Sequence, residues 1–133
     1  MKKLLLTLIF LLGFISVNAQ TYRYKAQNFA YKYVNDNGYW TKWSDWKSCN
    51  ILITIDTDDD IITIYSRTPQ VYVITDYIRT YTDSSNGRQM EFKVIDQDRD
   101  IGNVRIRIEA NGTSQLYVDF NDVSWVYGNI TRY

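Results

Sequence analysis

The stretch "MEFKVIDQDRDIGNVRIRIEANGTSQLYVDF", residues 90–120, decides the fold. Met90, Phe92 and Val94 alternate with Glu91 and Lys93, and Val104, Ile106 and Ile108 alternate with Arg105 and Arg107. A period of two places each apolar set on one face of a strand. Pairing Ile95 with Ile101 across the Asp-rich turn sets Phe92 opposite Val104, Met90 opposite Ile106 and Glu91 opposite Arg105, with everything apolar on one side. At "ANGTS" a two-residue Asn111-Gly112 loop would mix the faces. A loop of Asn111 to Thr113 keeps them apart, which predicts Ile108 opposite Leu116, Ile106 opposite Val118 and Val104 opposite Phe120. Glu91, Arg105 and Asp119 then form a charge ladder on the solvent side.

Working outward, the chain from Phe29 on shows short Ile, Val, Tyr and Thr segments broken by Asn, Asp, Gly and Ser, with no sustained helical spacing. Strands are expected near 28–35, 39–46, 50–56, 61–67, 70–80, 88–95, 101–109, 113–120 and 123–128. The only proline, Pro69, falls between two of them. The links are too short for parallel crossovers, so the strands should run antiparallel in sequence order. The expected fold is all-β: an antiparallel up-and-down meander of eight or nine strands closed into a small barrel, with a two-sheet sandwich as the alternative. "ILITI" (51–55) and "IITIY" (61–65) are apolar on both faces, so their second face calls for a cover.

The first residues, "MKKLLLTLIFLLGFISVNAQ", carry two lysines, an apolar run and the small-residue site Val17-Asn18-Ala19, the pattern of a secretory signal peptide over 1–19. The "NAQ" ending resembles signals of Bacteroidota and suggests a bacterial source. Residues 20–133 then form a single domain. The run is too short to span a membrane, and no cysteine lies near the cleavage site, so the expected destination is periplasmic or secreted, not a lipoprotein. The full chain balances 15 basic against 15 acidic residues. Losing the two signal lysines leaves it slightly acidic, which argues against nucleic acid as partner, as against membrane insertion after cleavage. Cys49 is the only cysteine, so no internal disulfide can form, and a buried thiol is expected. Histidine is absent, which removes Ser-His and Cys-His nucleophiles, His bases and His-ligated metals. Catalysis is not expected.

"WTKWSDWKSC" (40–49) spaces Trp40, Trp43 and Trp46 by three before Cys49. Over these ten residues it resembles the thrombospondin type 1 repeat, in which an Arg-x-Arg strand, here Arg105-Ile106-Arg107, stacks on the rings. That resemblance implies a small three-stranded domain held by several disulfides, whereas this chain has one cysteine and many alternating strands. On a regular strand Trp40 and Trp46 share a face and Trp43 takes the other. Exposed indoles would give a platform for a sugar ring, a peptide or another protein. "IDTDDDI" (55–61) and "IDQDRDI" (95–101) repeat aspartates as calcium loops do, but lack the Gly and Glu of an EF-hand. They read as Asp-rich turns at opposite ends of the meander, with no metal or other cofactor required.

These features predict a small exported non-catalytic protein that binds a protein or glycan through Trp40, Trp43 and Trp46, as a monomer or weak homo-oligomer. The alternative is a structural or assembly subunit that self-associates through apolar strand faces.

Overall fold

A computed structural model describes residues 21–132; the expected signal peptide lies outside them. Eight strands follow one another: β1 (Thr21–Tyr33), β2 (Lys47–Asp56), β3 (Ile61–Ile64), β4 (Gln70–Thr82), β5 (Arg88–Ile95), β6 (Ile101–Ile108), β7 (Ser114–Asp119) and β8 (Val123–Arg132). Each pairs antiparallel with the next, and β8 returns to β1, so the sheet is a closed barrel and not a sandwich. Alternation supplies its core. Tyr22, Tyr24, Ile53, Ile55, Ile62, Ile64, Met90, Phe92, Val94, Val104, Leu116 and Val118 point inward and are buried. Burial of this apolar surface is the main stabilising term, at about 25 cal/mol per Å² removed from water.

The expected β5–β6 register holds: Ile95 opposes Ile101, Phe92 opposes Val104 and Met90 opposes Ile106. The β6–β7 register differs by two residues. Ile106 opposes Leu116, Val104 opposes Val118 and Ile108 opposes Ser114. The loop has three residues, but they are Ala110 to Gly112: Glu109 N–H donates to Thr113 O at 2.8 Å, and Gly112 takes φ +89°. A slip of two preserves every residue's face, so alternation could not detect it. The charge ladder changes accordingly. Arg105 reaches Asp119 diagonally at 2.6 Å, while Glu91 is buried on the outer wall and pairs with Arg79 at 3.1 Å.

The same five-residue turn recurs at Asn35–Tyr39, Asp83–Gly87, Asp96–Asp100 and Glu109–Thr113. In each, the first residue's N–H donates to the fifth residue's carbonyl, and the fourth residue donates back to the first. That fourth residue has positive φ: Gly38, Asn86, Arg99 and Gly112. Where the first residue is Asn or Asp, its Oδ1 accepts the amides of the third and fifth residues, at 2.8–3.1 Å for Asn35, Asp83 and Asp96.

The barrel has two dissimilar ends. The strap end carries the links 34–46, 65–69, 96–100 and 120–122; the hairpin end carries the turns 57–60, 83–87 and 109–113. The two Asp-rich turns therefore sit at opposite ends, as expected. Cys49 is half-buried, less enclosed than expected, and its Sγ donates to Ala26 O at 3.5 Å. Burial pushes the thiol pKa up.

Candidate functional site

The segment expected as a strand over 39–46 is not one. β1 pairs with β2 only as far as Phe29 but with β8 as far as Tyr33, which leaves one edge of β1 open beyond Phe29. The chain turns at Asn35–Tyr39 and comes back along that edge as an irregular strap. Thr41 N–H donates to Tyr33 O at 2.8 Å and Ser44 N–H to Tyr31 O at 2.7 Å. The reciprocal bonds are made by side chains: Thr41 Oγ1 accepts from Tyr33 N–H at 3.1 Å and Ser44 Oγ from Tyr31 N–H at 3.0 Å. Hydroxyls standing in for carbonyls satisfy β1 without imposing a pleat on the strap.

Freed from strand alternation, the tryptophans do not divide two against one as a regular strand would require. Trp40 and Trp43 share Lys32, whose Nζ lies 5.1 and 4.8 Å from their ring centroids. Trp43 meets Tyr117 edge-on at 6.1 Å, and the Arg105 guanidinium covers Tyr117 at 4.2 Å. Trp46 lies against Gly128, where an added Cβ would come within 3.1 Å of its ring and 2.4 Å of Asn28 Oδ1. Beneath the strap the outward-facing Ala30, Ser124 and Val126 are buried. The indoles are neither core nor mouth plugs. Tyr39 is 73% exposed, Trp46 51%, Trp40 45% and Trp43 39%. Sequence reasoning named the three tryptophans but missed Lys32 and Tyr117, which lie on β1 and β7 and reach the strap only through barrel closure.

At the strap end, rings fill the mouth: Phe120 packs 6.1 Å from Tyr72 and 6.3 Å from Trp125. Gln70 bridges the two tyrosines inside, donating to Tyr127 Oη at 2.9 Å and accepting from Tyr72 Oη–H at 2.5 Å. Burial pushes the pKa of both phenols up. The rings leave two clefts of about 640 and 510 Å³, both touching Asp96. Ligand atoms of Asp96, Asp98 and Asp100 come within 4.8 Å of one another, yet Asp96 Oδ1 already accepts two amides of its own turn. Asn35 and Asp83 perform that same task in their turns, which accounts for the aspartate at 96 without an ion.

At the hairpin end Tyr22 and Tyr24 of β1 point inward, but the strands across from them carry aliphatic side chains. A cavity of about 240 Å³ opens there, lined mainly by isoleucines from both walls, with Tyr24 and Arg132 at its polar edge. Alternation places Ile106 and Ile108 on the core face, but the sequence marks none of the lining residues as a site. Nothing distinguishes an inward isoleucine beside a cavity from one in packed core until the barrel's end is placed. No known protein family, curated protein or solved structure matches the chain.

Proposed function

We propose that this is a small exported, non-catalytic binding protein that takes a protein or glycan ligand on the aromatic strap, with Trp40, Trp43 and Trp46 as contact residues. The observation that carries this reading is the exposure of three indoles, at 39–51%, on a segment hydrogen-bonded along an otherwise rigid wall. Aromatic anchors with few rotatable bonds lose little entropy when a ligand docks. Operation in water, in the periplasm or outside the cell, is supported by the outer wall. It carries the pairs Arg79–Glu91, Arg105–Asp119 and Arg107–Asp83, and a lipid-facing strand bears such charges only at a cost of about 2–4 kcal/mol each near mid-bilayer. The lack of histidine supports the non-catalytic reading.

The test is tryptophan emission with acrylamide quenching, followed by glycan and protein screening of wild type beside Trp40→Ala, Trp43→Ala and Trp46→Ala. Red-shifted, readily quenched emission and ligand loss in the variants are expected. Emission that is blue-shifted and poorly quenched would overturn the reading.

One further observation favours the subunit alternative. Outside the barrel, Ile61 opposes Val73, Val73 opposes Ile95, and Ile95 opposes Ile101, a continuous apolar row across four strands. Ile101 is 57% exposed and Val73 43%. The second face of the greasy strands thus remains at water within one chain. A dimer covering the row would dissociate on dilution and be abolished by Val73→Lys; a monomer at micromolar concentration excludes this alternative.

A further inference from the structure

The hairpin-end cavity lies inside the barrel, between β1 and β2 on one side and β6, β7 and β8 on the other. Ile53 and Ile55 on its first wall are buried, whereas Ile106, Ile108 and Ile130 across from them are only partly buried although they point inward. Branched aliphatic side chains do not reach across the lumen as the rings do at the other end. The result is apolar surface that an apolar occupant would shield from water.

Size and charge narrow the occupant. A dry apolar cavity of about 150 Å³ admits benzene, so 240 Å³ has room for roughly ten heavy atoms. Among the described residues, Arg132 is the only charged one in the lining. Its guanidinium lies 5.2 Å from the Tyr22 ring. Tyr24, also in the lining, presents a neutral hydroxyl at working pH as any phenol does, and burial pushes its pKa further up against the opposing pull of Arg132. An exposed cation beside a neutral hydroxyl, above an aliphatic floor, matches a carboxylate head on a short apolar tail.

We propose that this cavity is a binding site for a small amphipathic carboxylate of medium chain length, its tail among Ile106, Ile108 and Ile130 and its head at Arg132 and Tyr24. The site is independent of the strap, which lies at the opposite end of the barrel, so either can fail alone.

Octanoate titrated into the chain from residue 20 onward tests it, followed by calorimetry and by isoleucine methyl resonances. Saturable binding with Kd of about 0.1 mM is expected. The methyls of Ile106, Ile108 and Ile130 should move, and octylamine should not compete. Arg132→Ala should weaken binding about tenfold through loss of the charge-assisted contact, and Ile108→Phe should abolish it by filling the cavity. Tryptophan resonances on the strap should stay in place, which also reports that each variant is folded. Absence of binding at millimolar octanoate, equal binding of octylamine, an unchanged affinity in a folded Arg132→Ala variant, or shifts confined to the strap would each overturn the proposal.

Discussion

The two mouths of this barrel are built by one rule and end differently. At both, every second residue points inward. At the strap end those residues are Tyr72, Tyr127, Phe120 and Trp125: Phe120 packs against Tyr72 and Trp125, Gln70 joins Tyr72 to Tyr127, and the clefts that remain lie around these rings. At the hairpin end Tyr22 and Tyr24 stand on the β1 side, the inward residues of β6 and β8 are Ile106, Ile108 and Ile130, and a cavity remains between them. Alternation decides which side of the wall a residue occupies. The reach of the side chain decides whether the lumen closes.

Breaking the plug should show the largest effect. Tyr72 is 3% exposed and makes both a ring contact and a hydrogen bond. Tyr72→Ala should cost about 3–5 kcal/mol in urea unfolding. Ile108→Ala at the other mouth should cost about 1 kcal/mol, since its side chain is only partly buried beside the cavity. Equal costs would mean that the hairpin end is packed as tightly as the strap end.

What could be read from the sequence divides along the same physical line. Eight of the nine expected strands, their faces, the barrel and the β5–β6 register follow from a period of two, and the structure has each of them, although β1 begins at Thr21, seven residues before the strand expected at 28–35. The β6–β7 register does not follow, because a two-residue slip leaves every face unchanged. Turn chemistry decides it. Pairing Ile95 with Ile101 already implied the five-residue turn at Asp96–Asp100; the same turn at Glu109–Thr113 puts Gly112 in the fourth position, where φ is positive. The strap was missed for a different reason. Tryptophans spaced by three do not fit a pleat, and the hydroxyls of Thr41 and Ser44 that replace the ladder look like ordinary strand residues until β1's open edge is known. The cavity depends on which strand ends face one another after closure, and no local pattern encodes that.

The shared turn offers a smaller and more pointed comparison between the ends. At the hairpin end its fourth position is Gly112 with φ +89°; at the strap end it is Arg99 with φ 66°. A Cβ in this region is strained, so Gly112→Ala should destabilise by about 1–2 kcal/mol. Arg99→Gly should stabilise by about 0.5 kcal/mol, the relief being partly offset by glycine's freedom in the unfolded chain. Thermal unfolding of both variants checks the pair. Shifts of the same sign would show that the two turns do not share one backbone geometry.

The smallest difference should appear only in acid. At the hairpin end the Asp83 carboxylate accepts from Arg107 Nε–H and Gln89 Nε2–H, each at 2.8 Å, and from the amides of Ser85 and Gly87, tying the β4–β5 turn to β6. Asp96 in the corresponding strap-end turn caps only its own loop. The Arg107 bond, reinforced by Gln89 and Gly87, holds the Asp83 carboxyl far below its ordinary value of 3.8. A depressed folded-state pKa contributes stability that is complete above the unfolded value and is lost as pH falls below it towards the folded one. Stability from this group should therefore be flat from neutral pH down to about pH 5 and decline below pH 4. Asp83→Asn should lower stability at pH 7 and flatten its acid dependence, because the amide keeps one acceptor oxygen and loses the charge. An unchanged acid slope in that variant would show that Asp83 does not set the acid response of the hairpin end.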